Sequence, residues 1–306
     1  AASSVAAQNV AENISNEVIG GFAVEVKGEE ISVGKMIYHV QTGTAAGNTA
    51  DLTSVSLYNE NGKIVAGPVD GSGTGPNGTV TFTDTVIFPI GKATYILKGK
   101  YGTDFANNET VQASTTPSSD WTTVKGVTTG KTVTPTPSSA VTANIMTVKA
   151  GALTISVQSV PLAQNVVAGA SQFTFSNYEL NATQSGEDVK LASIPLEYNL
   201  GGGSATDLTA CTLYDGSTKL TTGSNVVNPS AAASSTVFTI DGNGLVIPKG
   251  TTKVLALKCN IATGSSGKYT WGYDSGSDPT PTGVTSNQSI AETENDSAGE
   301  SMSAVS

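Results

Sequence analysis

Arginine is missing from these 306 residues, histidine occurs once, at His39, and only two cysteines, Cys211 and Cys259, are present. Each scarcity removes a class of function. Nucleic-acid surfaces need clustered cations and favour the bidentate guanidinium fork, whereas here fifteen lysines face twenty-five acids for a net charge of -10. No nucleic-acid partner is expected, and an anionic membrane surface is disfavoured for the same reason. A membrane span is excluded because no stretch approaches the roughly 18 apolar residues that one needs. A single histidine rules out histidine pairs and histidine-rich metal sites. Charged residues make up 13% of the chain, too few for the Leu-Glu-Lys-Ala patterning that helices use, while Gly, Ser, Thr and Val abound. That is an all-β composition. The opening AASSVAAQNVAENIS lacks a basic segment followed by an apolar one, and is read as a mature terminus or an excised portion rather than a signal peptide. Low charge and Ser/Thr/Gly-rich turns accompany exported proteins, so an extracellular or cell-surface location is expected.

What is present is organised around Ala150 to Val160, AGALTISVQSV, where Leu153, Ile155 and Val157 alternate with Thr154, Ser156 and Gln158. Period two marks a half-buried strand. Sequence echoes flank it on both sides. Val160 to Val166, VPLAQNV, echoes Ser4 to Val10, SVAAQNV, and Asn165 minus Asn9 is 156. Asn144 to Val148 echoes Glu300 to Val305, and Met302 minus Met146 is again 156. Two repeats are therefore present with one copy of the strand between them.

Residues 1 to 20 place Val5, Val10, Ile14, Val18 and Ile19 near helical spacing, which reads as a short helix from Val5 to Val18 or as an extended arm. From Phe22 the strands are plain. Asp51-Leu52-Thr53-Ser54-Val55-Ser56-Leu57-Tyr58 matches Asp207-Leu208-Thr209-Ala210-Cys211-Thr212-Leu213-Tyr214, and each is followed by a tight polar turn. A Pro-containing turn then leads into a long strand, Thr94 to Lys100 or Lys253 to Ile261, and each repeat carries a late Gly-Val-Thr, at Gly126 and Gly283. Short strands, regular turn signals and no convincing interior helix predict two tandem Ig-like β-sandwich domains, residues 1–149 and 150–306, with extended terminal arms.

The D-L-T-x-x-x-L-Y hairpin, the proline-glycine turn before the long strand and the G-V-T segment resemble the Ig-like repeats of bacterial cell-surface proteins and extracellular filaments. The likeness covers both halves. It implies an exported structural, assembly or adhesive role.

Chemistry offers little. His39 lies in a strand opposite in phase to Tyr38 and Val40, and the formal S-x-x-K matches, Ser32 to Lys35 and Ser265 to Lys268, lack a helix start and companion motifs. No catalytic residue is assigned, and the chain is not read as an enzyme. Acidic turns lack the ladder of a calcium loop, so no metal site and no cofactor are assigned. Cys211 and Cys259 both fall on inward phases and are read as a disulfide, with buried free thiols as the alternative. Tyr269, Trp271 and Tyr273 alternate along one face, which suits a sugar-stacking platform or a core row. Val111 and Ala113 at the matching phase of the first repeat favour the core.

The leading expectation is a structural subunit of an extracellular filament, pilus-like fibre or surface layer, a homopolymer of copies joined head to tail. The alternative is an adhesin module for carbohydrate or cell surfaces, with surface glycans as partners. Because two repeats share one copy of the central strand, the other sheet edge is expected to be completed by the terminal arms, residues 1–20 or 293–306, folding back within the chain, by strand exchange with a neighbouring subunit, or by the next strand of a longer repeat array of which this chain is a piece. Leu153, Ile155 and Val157, and the arm residues Val5 and Val10, are the exchange candidates.

Overall fold

The computed structural model describes residues 1–43, 46–273, 281–295 and 298–305. The chain divides into two compact units, Ala1–Ala150 and Gly151–Ser306. Each is an Ig-like β-sandwich with its own apolar core.

In the second unit one sheet runs in the order Thr218–Lys219, Leu208–Asp215, Thr252–Ile261, Phe173–Asn181, Leu153–Val157, Glu292–Asn295. Facing it is a sheet ordered Gln164–Val167, Ser301–Val305, Lys268–Tyr273, Ser193–Gly201, Ser234–Thr239. Alternate residues from both sheets meet between them. Leu153, Ile155, Leu255, Leu257 and Trp271 are all at most 1% exposed there.

The first unit follows a similar plan, with the strands that form a separate sheet Leu245–Ile247, Val189–Leu191, Thr282–Gly283 in the second unit joined to its larger sheet. Its smaller sheet is Glu17–Val26, Gly91–Tyr101, Leu52–Tyr58, Ile64–Val69, with Glu17–Val26 on the edge. Its larger sheet holds Gln8–Val10, Met146–Val148, Thr110–Thr115, Ile31–Thr42 and Trp121–Gly126 in that order.

The two sequence echoes turn out to be partners. Gln8–Val10 pairs in parallel with Met146–Val148, Gln8 opposite Met146, and Gln164–Val167 pairs in parallel with Ser301–Val305, Gln164 opposite Met302. Each repeat is closed by tying its beginning to its end.

Two expectations are corrected. No helix spans Val5 to Val18: Asn13 and Asn16 sit at φ 58° and 65°, in the left-handed region that a right-handed helix cannot contain, and strands lie on either side. Nor are residues 1–20 a free arm. Val5 and Val10 are 7% and 0% exposed in the first core, and a side chain on Gly21 would collide with Val5. The C-terminal segment likewise contributes Glu292–Asn295 and Ser301–Val305 to sheets of the second unit.

The shared motifs have local causes. In D-L-T-x-x-x-L-Y the aspartate accepts a backbone N–H three residues back, Asp51 from Asn48 and Asp207 from Ser204, both at 2.8 Å. That bond caps a short turn and aims the fully buried Leu52 or Leu208 into the core. Two residues on, Ser54 and Ala210 take positive φ at a bulge, where their N–H groups donate to Asp70 and Asn228 at 2.8 Å.

The placement of Val10 fixes an expected outcome. Val10→Ala removes buried methyls beside the closing strand pair and costs about 2 kcal/mol in denaturant unfolding of the first unit. Glu12→Ala, on an exposed neighbour, leaves the midpoint unchanged.

Candidate functional site

The most distinctive feature of the surface is the open edge of Glu17–Val26 in the first unit. A cleft of about 260 Å³ lies against it. Its near wall is Phe22 to Lys27 and its far wall runs from Val133 to Pro137, with Val33, Phe88, Trp121 and Val124 beneath. The floor is rigid. Phe88 stacks on Trp121 at a centroid distance of 5.4 Å, and the Trp121 Nε1–H donates to Thr115 Oγ1 at 3.1 Å. At the rim Lys27 meets Glu25 at 3.0 Å.

In the second unit Phe173–Asn181 is flanked by Leu153–Val157 in antiparallel pairing, and that strand pairs in turn with Glu292–Asn295. The matching Glu17–Val26 pairs only with Gly91–Tyr101 among the described residues. Leu153 and Ile155, at 1% and 0% exposure, and the partly buried Val157 are held within their own unit. So are Val5 and Val10. The five exchange candidates therefore complete the cores they belong to, and withdrawing any of them would open that core; the expectation that they are lent outward is corrected.

The aromatic row is also settled by burial. Tyr269, Trp271 and Tyr273 are 0%, 0% and 2% exposed, so no platform is presented to a sugar. Trp271 stacks on Tyr198 at 4.6 Å and meets Phe238 edge-on at 5.7 Å. The Tyr269 hydroxyl donates to Asp207 at 2.7 Å, and its pKa is raised, first by burial and then by that bond.

Cys211 and Cys259 form a disulfide between the strands Leu208–Asp215 and Thr252–Ile261, with Cα atoms 4.0 Å apart. Strand register gives Val55 and Gly99 as their equivalents in the first unit, since Leu52 faces Tyr101 as Leu208 faces Ile261. There a side chain on Gly99 would lie 2.9 Å from Val55 Cγ2. One repeat fills this point with valine over glycine, and the other with a covalent bond.

His39 does not build a catalytic relay. Its Nε2 lies 3.2 Å from Asp120 Oδ1, and Ser119 Oγ lies 3.5 Å from that same oxygen. The carboxylate stands between serine and histidine, so the imidazole is not placed to take the hydroxyl proton. Among the described residues no cluster of His, Cys, Asp and Glu suits a metal ion, and no helix is long and apolar enough to cross a membrane.

One pair of carboxylates went unread in the sequence. Glu29 Oε2 accepts the backbone N–H groups of Thr128 and Thr129 at 2.8 and 2.9 Å, and Oε1 accepts the Thr129 hydroxyl at 2.6 Å. Glu187 does the same for Thr285 and Ser286. A side chain on Gly126 or Gly283 would collide with the carboxylate, which accounts for the glycine of each G-V-T. The signal was the recurrence itself, G-E-E and G-E-D in one turn with G-V-T in the other.

No protein-family model matches the chain, and no curated protein matches it. Solved structures give weak likenesses. The calcium binding domain CBD12 of CALX1.1 aligns at 11% identity and TM-score 0.29, over 93% of this chain and 78% of that one. The seventh ScaB type I cohesin of Pseudobacteroides cellulosolvens aligns at 14% identity and TM-score 0.25, over 51% of this chain and 92% of its own. CfaE, the adhesive subunit of CFA/I fimbria of enterotoxigenic Escherichia coli, aligns at 7% identity and TM-score 0.21, over 98% of both. Likeness at this level carries no functional argument.

Two outcomes follow from the bonds described. Unfolded, unreduced protein offers no alkylatable thiol by mass spectrometry, and reduction exposes two. Closing a loop over a separation of 48 residues contributes about 4 kcal/mol on the chain-entropy model, so reduction lowers the second unit's unfolding midpoint. The Glu29 pKa is lowered below its ordinary 4.5, first by the Thr129 hydroxyl and then by the backbone N–H groups. A carboxylate with a depressed folded pKa adds stability above its unfolded value, and that contribution is lost as pH falls through the folded one. Melting temperature measured from pH 6 to pH 3 should drop below about pH 4.5, with part of the drop absent in Glu29→Gln.

Proposed function

We propose that this chain is a non-enzymatic structural subunit of an extracellular filament, pilus-like fibre or surface layer, polymerising head to tail with copies of its own kind. The observation that supports the reading is the edge of Glu17–Val26, which among the described residues pairs with a strand on one side only, beside a cleft floored by Phe88, Trp121 and Val124. A bare strand edge presents a row of N–H and C=O groups that another chain can pair with. When such a contact joins different surfaces of successive subunits it is heterologous, and it grows into a fibre if the rotation does not close. Net charge of -10 and a polar Ser/Thr-rich exterior suit a protein kept soluble until it assembles. The adhesin reading loses the aromatic row that suggested it, because those rings are core.

Negative-stain microscopy of the native material tests the proposal. Regular polymers labelled by antibody to this chain are the expected result. Dispersed particles that bind a defined sugar on a glycan array would replace the structural reading with the adhesin one.

A further inference from the structure

The second unit has an edge strand of its own. Gln164–Val167 ends its sheet, pairing with Ser301–Val305 on one side and with no other strand among the described residues. Ala168 N–H donates to Val305 C=O at 2.8 Å. Alternate residues of a strand direct their backbone groups to the same side, so Val166 faces Ser301–Val305 as Ala168 does, and Asn165 and Val167 face away from it. Chain adjoining a repeat does not take this place. In the second unit the residues that precede the strand are present, and Leu153–Val157 belongs to the facing sheet. In the first unit the residues that follow the repeat are present, from Gly151 onward, and the matching strand Gln8–Val10 still pairs with Met146–Val148 alone among the described residues.

Its side chains set this strand apart from its counterpart. Val160, Leu162 and Val167 are 57%, 68% and 65% exposed. Subtracting 156 gives Ser4, Ala6 and Ala11 in the first unit. There the strand is followed by the exposed Glu12, whereas the same position of the second unit is Ala168. Sheet edges are ordinarily blunted by charge, and this one has none: no charged residue occurs from Ala150 to Tyr178. In a chain of net charge -10, two copies that meet along this stretch bring no like charges together. The strand is also self-complementary. A two-fold axis through Asn165 sets each outward N–H opposite an outward C=O of the second copy. The exposed Asn165 amides, each both donor and acceptor, then face one another across the axis, and Val167 of each copy stands opposite Ala163 of the other with Leu162 beside it.

We propose that Gln164–Val167 is a self-pairing edge. Its partner is the same strand of a second copy of this chain, antiparallel about a two-fold axis through Asn165, with Val160, Leu162 and Val167 drawn into the contact. Such a contact is isologous and stops at two copies. It is separate from the head-to-tail joint of the filament reading and does not rest on it. Where both operate, it ties one fibre to the next side by side.

The test is a charge swap in the full chain, read by analytical ultracentrifugation and hydrogen exchange. Wild-type protein should self-associate between micromolar and millimolar concentration and, as it does so, slow exchange at the Asn165 and Val167 amides. The Ala11 amide, counterpart of Val167, should exchange at the same rate throughout. Asn165→Asp sets two carboxylates against each other and Asn165→Lys two ammonium groups, so each alone should weaken self-association by about tenfold or more. An equimolar mixture of the two variants should restore it, because the axis then joins opposite charges. Asn165 is exposed, so both variants should melt as the wild type does. Wild-type protein that stays monomeric at millimolar concentration overturns the proposal. So does association that neither substitution weakens or that mixing fails to restore, and so does equal protection at Ala11. Dimers that never lengthen would remove the filament reading and leave this contact. Polymers that form equally in both variants, with Asn165 unprotected, would do the reverse.

Discussion

Backbone pairing between the first and last strands of each repeat is the constraint on which the rest depends. Gln8 and Met146 are 138 residues apart in sequence, as are Gln164 and Met302, and each pair sits directly opposite in a parallel ladder. Parallel neighbours require a long crossover connection, and here the connection is nearly the whole repeat. With both ends tied down, the strands between them must complete two facing sheets. The apolar alternation of those strands is then buried twice over, against the facing sheet and against neighbours within the sheet.

Within that frame the repeats hold the same turns and exchange the fillings. Asp51 and Asp207 cap the same turn, and Glu29 and Glu187 hold the same pair of backbone amides. These polar bonds are local and directional, so their residue types are restricted. The core positions between them need only volume and an apolar surface. Hence Val55 over Gly99 in one unit and the Cys211–Cys259 bond in the other occupy one structural point. Phe88 on Trp121 in the first unit and Tyr198 on Trp271 in the second are likewise different ring pairs serving two cores of one plan.

An uncovered strand edge is a hazard that folded proteins ordinarily blunt. The first unit does so in part, placing Glu25 and Lys27 at the rim of the cleft as an ion pair. Charges there discourage indiscriminate pairing while leaving the apolar floor intact.

The sequence alone determined the all-β class, the two repeats, the paired hairpins and the inward phase of Cys211 and Cys259. These depend on turn chemistry and period-two alternation, which act between residues close in the chain. It left the roles of the echoes unassigned: that VAAQNV and the methionine strand are partners follows only when the repeat closes. The spacing of Val5, Val10 and Ile14 suggested a helix because each is apolar, while the left-handed Asn13 and Asn16 and the partner at Met146–Val148 decided for strands. Tyr269, Trp271 and Tyr273 read equally as platform or core until the facing sheet covered them. The open edge at Phe22–Lys27 was visible in sequence only as a strand present once among two repeats. Its position, its walls and, among the described residues, its pairing with Gly91–Tyr101 alone were decided by tertiary structure, because strand pairing joins residues far apart in the chain.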